Sequence, residues 1–231
     1  ALDDSGRELL RRRITTPRGY DARDGDSKSP NWQGSWAGKT YKEPLSHGRV
    51  FSKEEIWDNF TYFIKKVVPV AEEAGVRNGI HPDDPPQPVI AGVPRCIFGN
   101  FEGYRKAIEI ANSPNIGMCL CVGCWLEGGP RMGNGTEETI RYFAKLNKLF
   151  KVHFRNVNAP LPHFVETFID NGYADMYKIM RTLVEVDFRG AAIADHVPSM
   201  IGGRNVGWAY SIAYMKAYLE RAEAETGRRR P

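Results

Sequence analysis

Ile80-His81-Pro82-Asp83-Asp84-Pro85-Pro86 brings a short apolar approach up to a histidine and then stops it with prolines. Three later segments share the design: Met118-Cys119-Leu120-Cys121-Val122-Gly123-Cys124, Val152-His153-Phe154-Arg155-Asn156-Val157 and Ala192-Ile193-Ala194-Asp195-His196. Each contains an apolar run of strand length, and each ends in a residue able to bind a metal. His81, Cys121, His153 and Asp195 lie 40, 32 and 42 residues apart. One strand-loop-helix-loop unit consumes about that much chain, so the four ends can converge at one rim of a parallel barrel. A donor set of two nitrogens, one sulfur and one oxygen suits Mn²⁺, Fe²⁺, Co²⁺ or Zn²⁺ and is too soft for a dedicated Mg²⁺ or Ca²⁺ cage.

The intervening segments read as the helices such a barrel needs. Ser52-Lys53-Glu54-Glu55 is a capping box, followed at helical spacing by Ile56, Phe60, Phe63, Ile64, Val67 and Val68. Pro69 should kink that helix and Gly75 should stop it. Val76 to His81 then reads as a strand, Phe101 to Ala111 as a helix and Asn115 to Gly123 as a strand. Helix is expected over Glu137 to Phe150, strand over Lys151 to Val157 and again over Phe164 to Ile169. Asp175 to Glu185 reads as helix, Ala191 to Asp195 as the last strand and Gly207 to Glu225 as the last helix. Strands alternating with helices of this length place the chain in the α/β class, with βα units on a parallel sheet. No internal repeat stands out. Upstream, residues 7–13 can form a short basic helix. The stretch from Thr15 to Arg49 lacks apolar periodicity yet holds Tyr20, Trp32, Trp36 and Tyr41. Aromatics are scarce in disordered tracts, so this stretch reads as a functional loop.

Composition bounds the remaining possibilities. A chain of 231 residues, 42% apolar and 26% charged, supports one substantial domain with a large core. The net charge of +4 includes the tail Arg228-Arg229-Arg230, and the other basic residues are interleaved with acids. That is a solvated-helix pattern and argues against a nucleic-acid partner. No apolar run approaches bilayer-spanning length, so no membrane partner is expected. The N-terminus Ala1-Leu2-Asp3-Asp4-Ser5 lacks a signal-peptide pattern, and four cysteines do not make a disulfide scaffold. The cytoplasm is the expected compartment.

Taken singly, each candidate has a plainer explanation. A histidine at a strand end is usually a hydrogen-bonded structural residue, a buried cysteine is a small hydrophobe, and an aspartate before a helix is a cap. Jointly they carry more, because all four sit at the C-terminal ends of separate strands, where barrel enzymes keep their sites. Cys121-Val122-Gly123-Cys124 permits two rival readings. A structural zinc site would need a second ligand pair, and the only cysteine elsewhere is Cys96, besides Cys119. A redox pair of the thioredoxin type would open a helix, whereas here an apolar strand leads in. Alternation puts Cys119 on the same face as Cys121, lining the interior below the metal.

The motifs around these positions resemble those of the mannonate dehydratases, members of the xylose-isomerase-like TIM barrels. The resemblance runs through Val67-Val68-Pro69-Val70-Ala71-Glu72-Glu73-Ala74-Gly75, His81-Pro82-Asp83-Asp84-Pro85-Pro86 and Gly117 to Gly123. It continues through His153-Phe154-Arg155-Asn156-Val157, Glu166-Thr167-Phe168-Ile169-Asp170, Asp175-Met176-Tyr177 and Asp195-His196, covering roughly residues 52–222. It implies that His81, Cys121, His153 and Asp195 are ligands to a divalent metal, Mn²⁺ or Fe²⁺, with Co²⁺ or Zn²⁺ as alternatives. It further implies a carbon-oxygen lyase that removes water from a sugar acid, D-mannonate giving 2-keto-3-deoxy-D-gluconate. A base takes the proton alpha to the carboxylate and an acid protonates the departing hydroxyl. His196 is the candidate acid/base and Tyr210 a candidate acid. Arg155, Asn156 and Asp83 are candidate contacts to the small-molecule substrate, Asp84 being a further outer-sphere candidate. A homo-oligomer is expected.

Two departures accompany the resemblance. The family commonly has Pro-Asp-His-Gly at the last strand, whereas Ala194-Asp195-His196-Val197 stands here. An eight-stranded barrel typically takes about 250 residues, and only about five βα units are legible. The expectation is therefore a partial TIM (β/α)8-type barrel over 52–231, behind an N-terminal irregular segment, 1–51, that supplies a possible substrate loop. Two alternatives follow: a sugar isomerase or epimerase of the same superfamily, with Glu166 as a ligand, or a non-catalytic truncated paralogue.

Overall fold

A computed structural model describes residues 19–21, 31–33, 49–90, 93–94, 97–198 and 200–228. The expected basic helix over 7–13 lies outside the described residues, as does most of the expected loop. What is described of that loop is two short strands, β1 (Gly19–Asp21) and β2 (Asn31–Gln33). The chain continues through α1 (Lys53–Glu73), β3 (Asn78–Ile80), the antiparallel pair β4 (Val89–Ile90) and β5 (Val93–Pro94), α2 (Phe101–Ala111) and β6 (Ile116–Cys121). Then come α3 (Val122–Gly128), a 3₁₀ turn (Gly129–Met132), α4 (Thr136–Lys145), β7 (Leu149–Phe154), β8 (Asn156–Val157) and β9 (His163–Thr167). α5 (Met176–Glu185), β10 (Ala191–Ala194) and α6 (Arg204–Thr226) complete it.

Local signals explain where these elements begin. Ser52 caps α1, its hydroxyl accepting from the Glu55 amide while the Glu55 carboxylate accepts from the Ser52 amide. Asn100 and Asp175 cap α2 and α5 one way, their side chains accepting from the Gly103 and Lys178 amides. Pro69 lies inside α1 without ending it; the helix stops at Gly75, whose φ of 64° lies in the left-handed region. The helix expected up to Phe150 ends at Lys145, and Leu149 and Phe150 open β7 instead, because Asn147 turns the chain with a φ of 54°. The strand expected up to Gly123 ends at Cys121, and Val122 begins α3, a helix that the apolar run concealed.

Four strands form the parallel sheet, in the order β10-β7-β6-β3. The expected count of about five is corrected to four among the described residues. The strand anticipated near 164–169 forms as β9, but it pairs antiparallel with β8 and β1 and stands apart from the sheet. One face of the sheet packs on helices: Met118, Leu120, Val152, Phe154 and Ala194 join Tyr104, Ile140, Phe143, Ile179 and Leu183 in one buried cluster. Two-residue alternation sends Cys119, Cys121, Lys151, His153 and Ile193 to the other face. In a closed barrel that face is the interior. Here it is open: Ile193 is exposed and Lys151 half-buried.

Candidate metal centre

The four strand ends meet. His81 follows β3, Cys121 closes β6, His153 lies one residue before the end of β7, and Asp195 follows β10. The register aligns Cys121 with His153 and His153 with Ile193, so neighbouring ends project side chains to the same face. His81 Nε2 stands 3.1 Å from His153 Nδ1. Asp195 Oδ2 lies 3.7 Å from both Cys121 Sγ and His153 Nδ1. Donor atoms of Cys121, His153 and Asp195 all fall within 4.8 Å of one another, as do those of His81, Cys121 and Cys124.

This set fits a cation of borderline softness. His81 Nδ1 donates to the Pro82 carbonyl at 2.7 Å, which fixes the ring so that Nε2 of the neutral imidazole turns a lone pair toward the other donors. Lone pairs of two imidazoles, a sulfur and a carboxylate facing one another repel unless a proton or a cation stands between them. His153 Nε2 is in addition buried with no hydrogen-bond partner. Burial opposes ionisation of Cys121, but the Cys124 hydrogen bond, the Arg155 guanidinium and the two imidazoles outweigh it and hold the thiol well below its usual range. Thiolate is the ligand form. The Asp195 carboxyl is raised, by burial first and then by the Cys121 charge beside it.

Behind the donors lies a buried arginine. The Arg155 side chain is fully buried and touches every acidic group of the site. Its Nη1 stands 2.9 Å from Glu127 Oε1, 2.5 Å from Glu166 Oε1 and 3.0 Å from His196 Nδ1. Its Nη2 reaches Asp84 Oδ2 at 2.9 Å, Cys121 Sγ at 3.3 Å and Cys124 Sγ at 3.4 Å, and its Nε lies 3.3 Å from Asp195 Oδ2. Gly123 makes room for it: a Cβ there would sit 2.2 Å from Arg155 Nε. Glu127 is wholly buried and neither of its oxygens makes a hydrogen bond. Burial therefore pushes its carboxyl well above the ordinary value, against the pull of Arg155. With several carboxylates around one guanidinium, Glu127 is the group best placed to keep its proton.

His196 follows Asp195 in the left-handed region, with φ 43°, an uncommon conformation for a residue with a side chain. Its Nδ1 is 2.6 Å from Glu166 Oε1 and 3.7 Å from Asp84 Oδ2, and about a third of the side chain is exposed. Burial lowers its pKa, but the Glu166 bond outweighs burial and the net shift is upward.

The other expected site residues fare differently. Arg155 was expected to meet substrate; its guanidinium is consumed by the site's own acids instead. Asn156, expected beside it, is buried: its amide donates to the Ile169 and Ala174 carbonyls and accepts from the Val157 and Ala174 amides, pinning the 156–174 segment. Of the aspartate pair, Asp84 reaches Arg155 and His196, while Asp83 is half-buried beside it. Tyr210 donates to Asp170 Oδ2 at 2.8 Å and packs on Phe168 and Tyr214, with no described contact to the four donors. That bond to Asp170 raises its pKa and makes it a poorer acid. Glu127 escaped the sequence reading, although a lone acid within Val122-Gly123-Cys124-Trp125-Leu126-Glu127 was a signal that it is buried and paired.

Known proteins resemble this chain in sequence and in fold. The family model for D-mannonate dehydratase (UxuA) matches residues 8–221. The mannonate dehydratase of Streptococcus pneumoniae (strain 70585) is 35% identical over 181 residues, which is 77% of this chain and 48% of that protein. The crystal structure of mannonate dehydratase from Streptococcus suis serotype 2 aligns with a TM-score of 0.71 at 32% identity, over 78% of this chain and 53% of that one. A structure of L-ribulose 3-epimerase, 16% identical, aligns with a TM-score of 0.57 over 79% of this chain and 61% of that one, a likeness of fold alone. The chain thus spans about half the length of the curated relatives it matches.

Proposed function

The chain belongs to the mannonate dehydratase family, and from that premise we propose that its site dehydrates a sugar acid with the aid of a divalent metal. The proposed reaction is D-mannonate to 2-keto-3-deoxy-D-gluconate plus water. The observation that carries this reading is the convergence of His81, Cys121, His153 and Asp195, with His196 held beside them by Glu166. The four donors would hold the metal, Mn²⁺ or Fe²⁺, with Co²⁺ or Zn²⁺ able to occupy the same set. When bound, such a cation supplies Lewis acidity that stabilises charge on the substrate carboxylate as its alpha proton leaves.

The protein's own contribution is proton handling. Glu166 accepts from His196 Nδ1, which leaves Nε2 free to take the C2 proton. The departing C3 hydroxyl needs that proton or another, and His196 can return the one it accepted. The bond to Asp170 makes Tyr210 the weaker of the two candidate acids in this arrangement. Arg155 clamps Glu166 and Asp84 around His196 and steadies Asp195 on its other side. The isomerase reading required Glu166 as a ligand; its Oε1 is held by Arg155 and His196, and it groups with Asp84 and His196 rather than with the four strand-end donors.

Turnover of D-mannonate in the presence of Mn²⁺, followed by formation of the 2-keto-3-deoxy acid, tests the proposal. His196→Asn should lower kcat by about 10²–10⁴ with little change in KM. Failure of the metal-loaded protein to convert any aldonate would overturn it in favour of a non-catalytic paralogue.

A further inference from the structure

The Cys121-Cys124 pair serves the proposed chemistry only through Cys121, and its second thiol is unexplained. The structure removes the objection that a strand leads through the motif. Cys121 caps α3, its sulfur accepting from the Cys124 amide at 3.5 Å, and Cys124 lies in the first turn of the helix. The two sulfurs lie within 4.8 Å of each other, and Arg155 Nη2 contacts both, at 3.3 and 3.4 Å. We propose that Cys121 and Cys124 are a redox pair that closes into a disulfide when no cation is bound, so that oxidation and metal occupancy exclude each other.

Geometry and chemistry both permit the bond. Residues three apart on a helix have Cβ atoms about 5–6 Å apart, against about 3.5–4.5 Å in a disulfide. Cys121 belongs to the cap rather than the helix proper, its backbone extended, so a small backbone shift at the cap with a turn of its Sγ toward Cys124 closes the gap without unwinding α3. Both thiols are buried, yet the neighbouring His81, His153 and Asp195 are only partly buried and keep some contact with solvent. Hydrogen peroxide is small enough to enter from that side. The Cys121 sulfur attacks one peroxide oxygen, the O–O bond breaks, and water leaves with Cys121 as a sulfenic acid. The Cys124 sulfur then attacks the Cys121 sulfur, its proton leaves with the hydroxyl as a second water, and two thiols and one peroxide have become a disulfide and two waters. Exclusion of the cation rests on the metal reading above; the disulfide itself does not.

The test uses the full chain. Chelator-treated protein is exposed to hydrogen peroxide, alkylated, and analysed by tandem mass spectrometry. The free thiol count should fall from four to two, with Cys121 and Cys124 protected from alkylation. Persistence of both as free thiols would overturn the proposal, as would loss of the bond in Cys119→Ser. In Cys124→Ser, Cys121 should instead be trapped by dimedone as a sulfenic acid. Mn²⁺ content, measured directly, should drop at least tenfold on oxidation and return with dithiothreitol. Unchanged Mn²⁺ binding after a verified disulfide would overturn the mutual exclusion. Absence of Mn²⁺ binding by the reduced protein would instead refute the metal reading, with the Cys121–Cys124 bond still scored by alkylation.

Discussion

At the scale of single residues, Arg155 decides whether the site can exist. It is one of the largest fully buried side chains in the molecule, and it neutralises acids contributed by four separate segments. Removing one partner of a buried ionic cluster costs about 3–5 kcal/mol, because the charges left behind have lost their compensation. Arg155→Met should therefore lose stability on that scale in urea denaturation; a loss below about 1 kcal/mol would show that the acids are solvated. Glu127 gives a second test, through pH. A carboxyl whose folded-state pKa is raised holds its proton longer folded than unfolded, so it lowers stability as pH climbs from the ordinary carboxylate range toward the raised value. Glu127→Gln abolishes that slope. Its stability relative to the native protein should grow as pH rises above the ordinary carboxylate range, and a pH-independent difference would show that Glu127 is ionised throughout.

At the scale of elements, α3 holds the site's inner wall. It supplies the Cys121 cap, Cys124 and Glu127 on three successive portions of one short helix. Gly123 lies between the two cysteines because Arg155 packs against its Cα, where no Cβ fits. Gly123→Ala changes none of the four donors, yet it must displace the guanidinium that touches two of them. Mn²⁺ affinity should fall about 10–100-fold, as when groups supporting metal ligands are altered, with the circular dichroism of the helices retained. An unchanged affinity would mean that Arg155 plays no part in arranging the donors. The β8–β9 hairpin has a comparable role, since Glu166 orients His196 from a strand outside the parallel sheet.

At the scale of the molecule, the parallel sheet has two open edges among the described residues, β3 and β10, and apolar side chains lie near both. Tyr62, Phe63 and Val70 are 60–70% exposed on α1 and Ile201 is 72% exposed before α6. Phe63 and Val70, seven residues apart, share one helical face. Exposed apolar groups of this size two turns apart on one face mark a contact surface, so the protein should sediment as more than one chain. The double change Phe63→Ser with Val70→Ser should shift it toward the monomer; sedimentation of the native protein as a monomer would refute this. Much of the architecture was legible in the sequence, because strand alternation and helix caps are local signals: Ser52 and Phe101–Ala111 read directly. The convergence of His81, Cys121, His153 and Asp195 was legible because their residue types are distinctive and their spacing matches βα units. The role of Arg155 was not, since an arginine at a strand end looks the same whether it meets solvent, substrate or four acids of its own chain. α3 was hidden because a fully buried helix and a buried strand share an unbroken apolar run. The antiparallel course of β9 depends on its partners β1 and β8, which no local pattern announces.

The separation of the donors along the chain has a kinetic meaning. His81 meets His153 across 72 residues, and Cys121 meets Asp195 across 74. The first contact needs β3, β6 and β7 in register and the second β6, β7 and β10, and such long-range pairings form late because loop closure precedes any gain from them. During refolding, helical signal should therefore recover before the capacity to take up an ion. Ion uptake then serves as a clock for the last step of assembly, and a chain arrested halfway would look folded to circular dichroism while remaining unable to hold Mn²⁺.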